Sequence, residues 1–520
     1  MPLPVPDVIL TNLQAITFDE QKPFARTIGI KKDRIVFVGE KEVTVGSGNK
    51  IKVIDCSGKT ALPGFIDAHL HLFALVHSLM HIDLSVQNNI RSVTDMVNEI
   101  KKKADKLPSD TWIRGRGYDE FYLKEKRHPT RHDLDHASTH HPIKISHRTG
   151  LVHVLNTLAL KKVGIHSCTP DPPEGIIDRD YKTGEPTGIL YGLGEFLAER
   201  IPPLGEQELE EGIKKANELL LAAGITSCHE ASAKNGEKEW NRLTQWKKLA
   251  LFSPRVIMMT GYPPPPDSTC LPIRDELSLG PVKVMISEIT GVLSPKEGEL
   301  VEIVSSLQGK GKQVALHALE EEHIFVALKA IKNAQIRFPQ VPLRHRIEHC
   351  SLCPPTLAKE IAKEGIVVVT QPGFIYYYGD KYLSAVPPEK QSFLYPLKTL
   401  RQAGVTVAGS SDTPVSPINP LVAIYGAVSR CTHSGSRVAP SEAITVKEAL
   451  AIYTKYGAVS ASEEWAKGSL SVGKFADIVL LDRNPLGIPL EEIRNIRVIA
   501  TIIGGKMAWI RDTCQSYFFC

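Results

Sequence analysis

No uncharged apolar run in the sequence approaches the ~20 residues that a membrane-spanning helix needs, so no span is expected. The opening Met1-Pro-Leu-Pro-Val-Pro6 lacks a basic stretch and an apolar core, so no secretion signal is expected from it. Cysteine is sparse and odd in number, nine in 520 residues. That argues against a disulfide framework and for reduced thiols in a cytoplasmic protein. Cys350-x-x-Cys353 has no second pair to complete a zinc knuckle, and it reads either as ordinary thiols or as a metal or redox pair. A strong charge of one sign is also missing, the net charge being +4. Basic residues are dispersed apart from Lys101-Lys102-Lys103, which reads as a solvated helix end, so no nucleic-acid partner is expected. What is abundant is apolar residues, 42 % of 520, enough for a large core and more than one domain.

The most informative stretch is Ala61–Leu72, Ala-Leu-Pro-Gly-Phe-Ile-Asp-Ala-His-Leu-His-Leu. Pro63-Gly64 makes a turn and Phe65-Ile66 opens an apolar run of strand character. His69 and His71, two apart, share a face of a strand and stand about 6–7 Å apart along it, so both imidazoles can reach one divalent metal. Among 18 histidines in 520 residues, roughly 0.6 such pairs arise by chance, and a wet strand end explains an isolated one. This pair is not isolated. Lys283, His317, His349 and Asp412 each end an apolar run, where a (β/α)8 TIM-like barrel keeps its catalytic groups.

Read in order, residues 1–60 give short strands with polar turns, the N-terminal part of a small β-sandwich. Residues 466–520 have the same character and supply its C-terminal part, so both chain termini build one β domain. Residues 61–84 hold the first barrel strand, and residues 204–465 hold the rest of the barrel. Apolar runs at Phe65, Ile225, Pro254, Val282, Val314, Arg346, Ile366 and Val405 complete the eight strands that closure requires. Residues 85–203 are a large insertion after strand one, with amphipathic helices at Ile90–Leu107 and Leu155–Val163, expected at the active-site end as a lid.

In such a barrel His69, His71, Lys283, His317, His349 and Asp412 converge at one end. An ammonium repels a cation, so Lys283 fits this company as a carbamate formed with CO2; the alternative is an ordinary pair with Glu288. His349 is preferred over Glu348 and His345, which alternate to other faces. Asp412 is expected to touch the metal, take a proton from a water activated there and return it to a leaving nitrogen. It also reads as a cap for a helix starting at Thr413-Pro414. The insertion's His128, His132, His136, His140, His141 and His147 read as solvated turn residues in preference to a second metal site, and His229, at the end of strand two, can face the pocket but has no assigned role.

Pro63-Gly-Phe-Ile-Asp-Ala-His-Leu-His71 resembles the first-strand signature of the amidohydrolase superfamily. Gly468-Ser-Leu-Ser-Val-Gly-Lys-Phe-Ala-Asp-Ile-Val-Leu-Leu-Asp482 resembles its return to the β domain. Arg346-Ile-Glu-His, Val369-Thr-Gln-Pro, Gly409-Ser-Ser-Asp-Thr-Pro-Val, Trp112-Ile-Arg-Gly-Arg-Gly-Tyr-Asp and Asn156-Thr-Leu-Ala-Leu are similar to amidohydrolase family 3, the YtcJ-like, N-substituted formamide deformylase branch. The resemblance covers nearly the whole chain. It implies a metal-dependent hydrolase acting on a non-peptide C–N bond of a small molecule, with Zn2+ as the expected ion, one or two per site, and a homodimer. Three stretches depart from the branch: Ile286-Ser-Glu-Ile, Ala318-Leu-Glu-Glu after His317, and Leu151 where a histidine is usual. These departures bear on the substrate pocket. Other enzymatic readings are deamination of a cyclic amidine or decarboxylation on the same site. A non-catalytic scaffold is disfavoured, because drift erases ligands first and all six positions are filled.

Overall fold

Eight apolar runs, almost wholly buried, pair side by side in parallel, as Val- and Ile-rich strands do when helices cover their sheet. In chain order they are β1 (Phe65–Leu70), β2 (Ile225–Glu230), β3 (Arg255–Thr260), β4 (Leu277–Met285), β5 (Val314–Ala318), β6 (Arg346–His349), β7 (Val367–Thr370) and β8 (Val407–Gly409). Each pairs with the next. Past the end of β8 the Asp412 N–H donates to the His69 carbonyl (2.9 Å) and the His71 N–H to the Thr413 carbonyl (2.8 Å), closing the circuit at its carboxyl rim. Ala68, Val367, Val369 and Ala408 form one buried cluster joining β7 and β8 to β1. This is the TIM-like barrel expected from the spacing of the runs.

The computed structural model describes residues 5–40, 51–173, 175–266, 269–273, 275–289 and 292–514. It divides into two compact units, one made of Met1–His71 with Asn217–Cys520, the other of Leu72–Ala216. Beside the barrel, the first unit carries a four-stranded sheet from residues 8–55 and a six-stranded sheet shared by the two ends of the chain. In the latter Thr60–Pro63 pairs antiparallel with Ile478–Leu481. Leu10, Ile28, Ile30 and Ile35 share one buried core with Ile478, Leu480 and Ile502. The β domain is tied to β3 by Asp477, which accepts from Arg255 Nε (2.7 Å) and Nη2 (3.0 Å), both side chains being buried. The Phe475 ring lies 3.8 Å from that guanidinium.

The second unit is wider than the expected insertion, residues 85–203, at both ends. Helix Leu72–Leu79 and the first turns of helix Glu206–Ala222 belong to it, and they meet closely. A Cβ on Gly212 would stand 2.9 Å from the Val76 carbonyl oxygen. Besides helices at Val93–Ala104 and Thr157–Val163, it contains a six-stranded sheet that the helical reading omitted. Two of its inner strands, Ile113–Tyr118 and Ile143–His147, run parallel. They bury Ile113, Ile143 and Ile145 in a core with Met96 and Ile100. No helix among the described residues is long and apolar enough to cross a membrane.

Candidate active site

The barrel delivers the six expected residues to one rim. His69 is in β1 and His71 just past it, their ring centroids 5.3 Å apart. His349 ends β6, its ring 4.9 Å from His69 and 4.5 Å from His317 on β5. Asp412 follows β8, with Oδ1 3.1 Å from His71 Nε2 and 3.6 Å from His69 Nε2. Lys283 on β4 pairs in register with Ala315, two residues below His317 and so about 6–7 Å deeper. Its long stem reaches the group from beneath, and its charge adds to burial, the larger cause, in depressing the basicity of His69, His317 and His349. The Glu288 side chain lies outside the described residues.

Each of three imidazoles is held by its Nδ1. His69 Nδ1 lies 2.5 Å from Glu348 Oε2, His71 Nδ1 3.0 Å from Ser232 Oγ, and His349 Nδ1 2.9 Å from Gln371 Oε1. Partners of this kind turn Nε2 toward a common point and fix the tautomer a metal requires. Glu348 is itself gripped by Arg346, whose Nε and Nη2 donate to its two oxygens at 2.7 and 3.0 Å. Arg346 also donates to the Ala68 carbonyl (2.8 Å) and to His229 Nδ1 (3.1 Å). Side chains of β6 meet β1 and β2 only across the interior, so Arg346, Glu348 and His229 form a buried polar floor under the histidines.

Several buried polar atoms at this rim lack a hydrogen-bond partner among the described residues: His69 Nε2, Lys283 Nζ and Asp412 Oδ1. His71 Nε2 is near enough to Asp412 but off the line a hydrogen bond needs. An orphaned buried donor or acceptor costs about 1–3 kcal/mol, and three at the carboxyl end of one barrel mark a place for something the chain does not supply. His69, His71 and Asp412 form a set able to hold a metal ion, their ligand atoms lying within 4.8 Å of one another. Burial pushes the Lys283 ammonium down to about 8, and it holds His69 and His317 well below their ordinary range, so these imidazoles are neutral, as ligands must be. Burial alone raises a carboxyl, but the His71 contact and the neighbouring imidazoles of His349 and His69 outweigh it and hold Asp412 low and ionised. His349 (φ 74°) and Asp412 (φ 57°) both adopt the left-handed backbone that side chains avoid, a strain that functional sites concentrate.

That backbone corrects two expectations. Glu348 does not merely point away from the site: it holds His69 from inside the barrel, while His349 reaches the rim because the chain leaves the strand there and alternation no longer applies. Asp412 caps no helix at Thr413-Pro414; the next helix, Pro420–Ser429, is capped by Asn419, whose side chain accepts from the Val422 amide (3.1 Å). Cys350 and Cys353 are buried free thiols, and the Cys353 contact together with burial pushes the Cys350 thiol well up. His132, His136 and His140 are exposed as expected, whereas His141 and His147 are buried. Glu348, Arg346, Gln371 and Ser232 were not singled out from sequence. Two charges two apart in the buried strand Arg346-Ile-Glu-His were the available signal, since each needs a partner inside the barrel.

The model of the amidohydrolase family matches residues 52–508. The chain belongs to that family. Within it, the chain falls in the YtcJ-like branch. It is 26 % identical over 539 residues to N-substituted formamide deformylase of Arthrobacter pascens, covering 97 % of this chain and 98 % of that one. It is 26 % identical over 494 residues to putative amidohydrolase YtcJ of Bacillus subtilis (strain 168), covering 88 % and 90 %. An uncharacterized metal-dependent hydrolase from Pyrococcus furiosus matches in structure with a TM-score of 0.69 and 25 % identity, covering 92 % of this chain and 99 % of that one. Family membership and the convergent donor set together make this amidohydrolase a metal-dependent hydrolase.

Proposed function

We propose that this amidohydrolase cleaves an amide-type C–N bond of a small molecule, with Asp412 as general base and then general acid. The observation that carries the reading is the convergence of His69 Nε2, Lys283 Nζ and Asp412 Oδ1, all buried and unpartnered, on one rim of the barrel. His69, His71, His317, His349 and Asp412 would hold one or two divalent ions, with Zn2+ the first to try. Lys283, buried and with its ammonium pushed down to about 8, is the amine that CO2 would convert to a carbamate able to join the ligands. A bound ion lowers the pKa of water toward ~7 and polarises a carbonyl.

The remaining steps belong to the chain. Glu348 and Gln371 keep the His69 and His349 rings aimed. Asp412, held ionised, accepts a proton from the attacking water at Oδ1. It then gives that proton to the departing nitrogen, so a free amine and a carboxylic acid leave. Similarity to the formamide deformylase along nearly all of both chains makes N-substituted formamides the first substrates to offer. The test is amine release from them by the wild type and by Asp412→Asn, where kcat is expected to fall about 10²–10⁴-fold. Turnover by Asp412→Asn equal to wild type would overturn the assignment.

A further inference from the structure

A second convergence of metal-ligating side chains lies within the unit Leu72–Ala216. The parallel strands Ile113–Tyr118 and Ile143–His147 end side by side, Tyr118 opposite His147. The carboxyl ends of adjacent parallel strands are where open sheets bind ligands. Asp119 and Glu120 follow the first strand and His147 closes the second. His147 Nε2 lies 3.1 Å from Glu120 Oε2 and 3.7 Å from Asp119 Oδ1. Ligands about 2.1 Å from one ion stand about 3–3.5 Å apart, so these spacings are near those of a shared ion.

Two features separate this group from an ordinary ion pair. The His147 side chain is only 6 % exposed, yet its Nε2 has no hydrogen-bond partner among the described residues. At 3.1 Å from a carboxylate oxygen, it is off the line that an N–H donating to that oxygen would take. This is the same signature that His69 Nε2 and Asp412 Oδ1 show at the barrel rim. Moreover, the outer atoms of the group are already held. Arg148 Nε donates to Asp119 Oδ2 (2.6 Å), and the Phe121 N–H donates to Asp119 Oδ1 (3.0 Å). The Thr149 N–H donates to His147 Nδ1 (3.3 Å), and the Thr149 hydroxyl lies 2.8 Å from the same nitrogen; ligation at Nε2 would exchange that amide hydrogen bond for an Nδ1–H donated to the hydroxyl. His128 stands nearby, its Nδ1 3.8 Å from Glu120 Oε2 and 3.1 Å from the Tyr118 hydroxyl. Glu120 and His128 are partly exposed, which gives an ion a route in.

We infer that Asp119, Glu120 and His147 form a second divalent-cation site whose ligands all come from the unit Leu72–Ala216. One imidazole with two carboxylates suits Zn2+ or Mn2+. The site does not depend on the barrel reading. Its test is ions bound per full-length chain after equilibrium dialysis against Zn2+ and, separately, Mn2+. The chains compared are wild type, His147→Gln, Glu120→Gln and a His69→Ala/His71→Ala double variant. The expected result is one ion fewer in His147→Gln and Glu120→Gln than in wild type, or at least a tenfold weaker last ion. The double variant is expected to keep that ion. Glu120→Gln is isosteric and lies on a partly exposed side chain, so it reports even where His147→Gln misfolds. Wild-type ion content in Glu120→Gln, or a double variant that binds no ion, overturns the inference. A double variant with the full wild-type content contradicts the barrel reading alone.

Discussion

Glu348 is where one residue does most to shape the barrel rim. It touches no solvent, is held ionised by Arg346 and Lys283 against its burial, and fixes His69 through Nδ1. Glu348→Gln keeps the shape but removes the charge that would make the His69 imidazole a stronger ligand in the proposed metal centre. The expected outcome is a 10–100-fold weaker metal affinity in chelator competition, with the fold intact by circular dichroism. Affinity equal to wild type would show that His69 does not need this partner. The role of Glu348 was hidden in the sequence because strand alternation, applied to its neighbour His349, sets the two on opposite faces. The rule fails at His349 because the backbone there is left-handed, and no local pattern announces that.

Elements were legible in proportion to how uniform their burial is. The eight barrel strands are almost entirely buried, so each shows as an apolar run, and each run's end marks a position on the rim. The sheet of the second unit is different. Ile113-Arg-Gly-Arg-Gly-Tyr118 alternates as a strand should, but its glycines weaken strand propensity and its arginines resemble a loop. The burial of His147 could not be read at all, since it depends on the neighbouring strand rather than on the residues beside it in sequence. Between the barrel and the β domain, Arg255 and Asp477 form a buried pair joining segments 222 residues apart. Asp477→Ala leaves the guanidinium buried without its paired carboxylate, and is expected to cost roughly 3–5 kcal/mol of stability in denaturant unfolding. A loss below about 1 kcal/mol would mean that water reaches Arg255.

For the whole molecule, stability carries a pH dependence set by buried neutral histidines. Burial pushes His345 down to about 4, and His81 and His153 to about 3. In the unfolded chain each takes up a proton near pH 6.5, so below that the unfolded state binds more protons and folding weakens. Stability from these groups is therefore complete above about pH 6.5 and is lost as pH falls toward 4, with His345 accounting for up to about 3 kcal/mol. Urea midpoints at pH 7.5 and 5.0 measure this. His345→Asn, which keeps an acceptor for the Val314 amide, is expected to flatten the slope. An unchanged slope would remove His345 from the account.

The central claim is that the barrel rim is a metal centre to which Lys283 contributes. It is tested most directly by metal content per chain in wild type and Lys283→Ala, both purified without chelator. The account predicts that the variant loses at least one ion relative to wild type, together with its hydrolytic activity. Equal content in the two proteins, or no metal in wild type even after Zn2+ or Mn2+ is supplied, would contradict it.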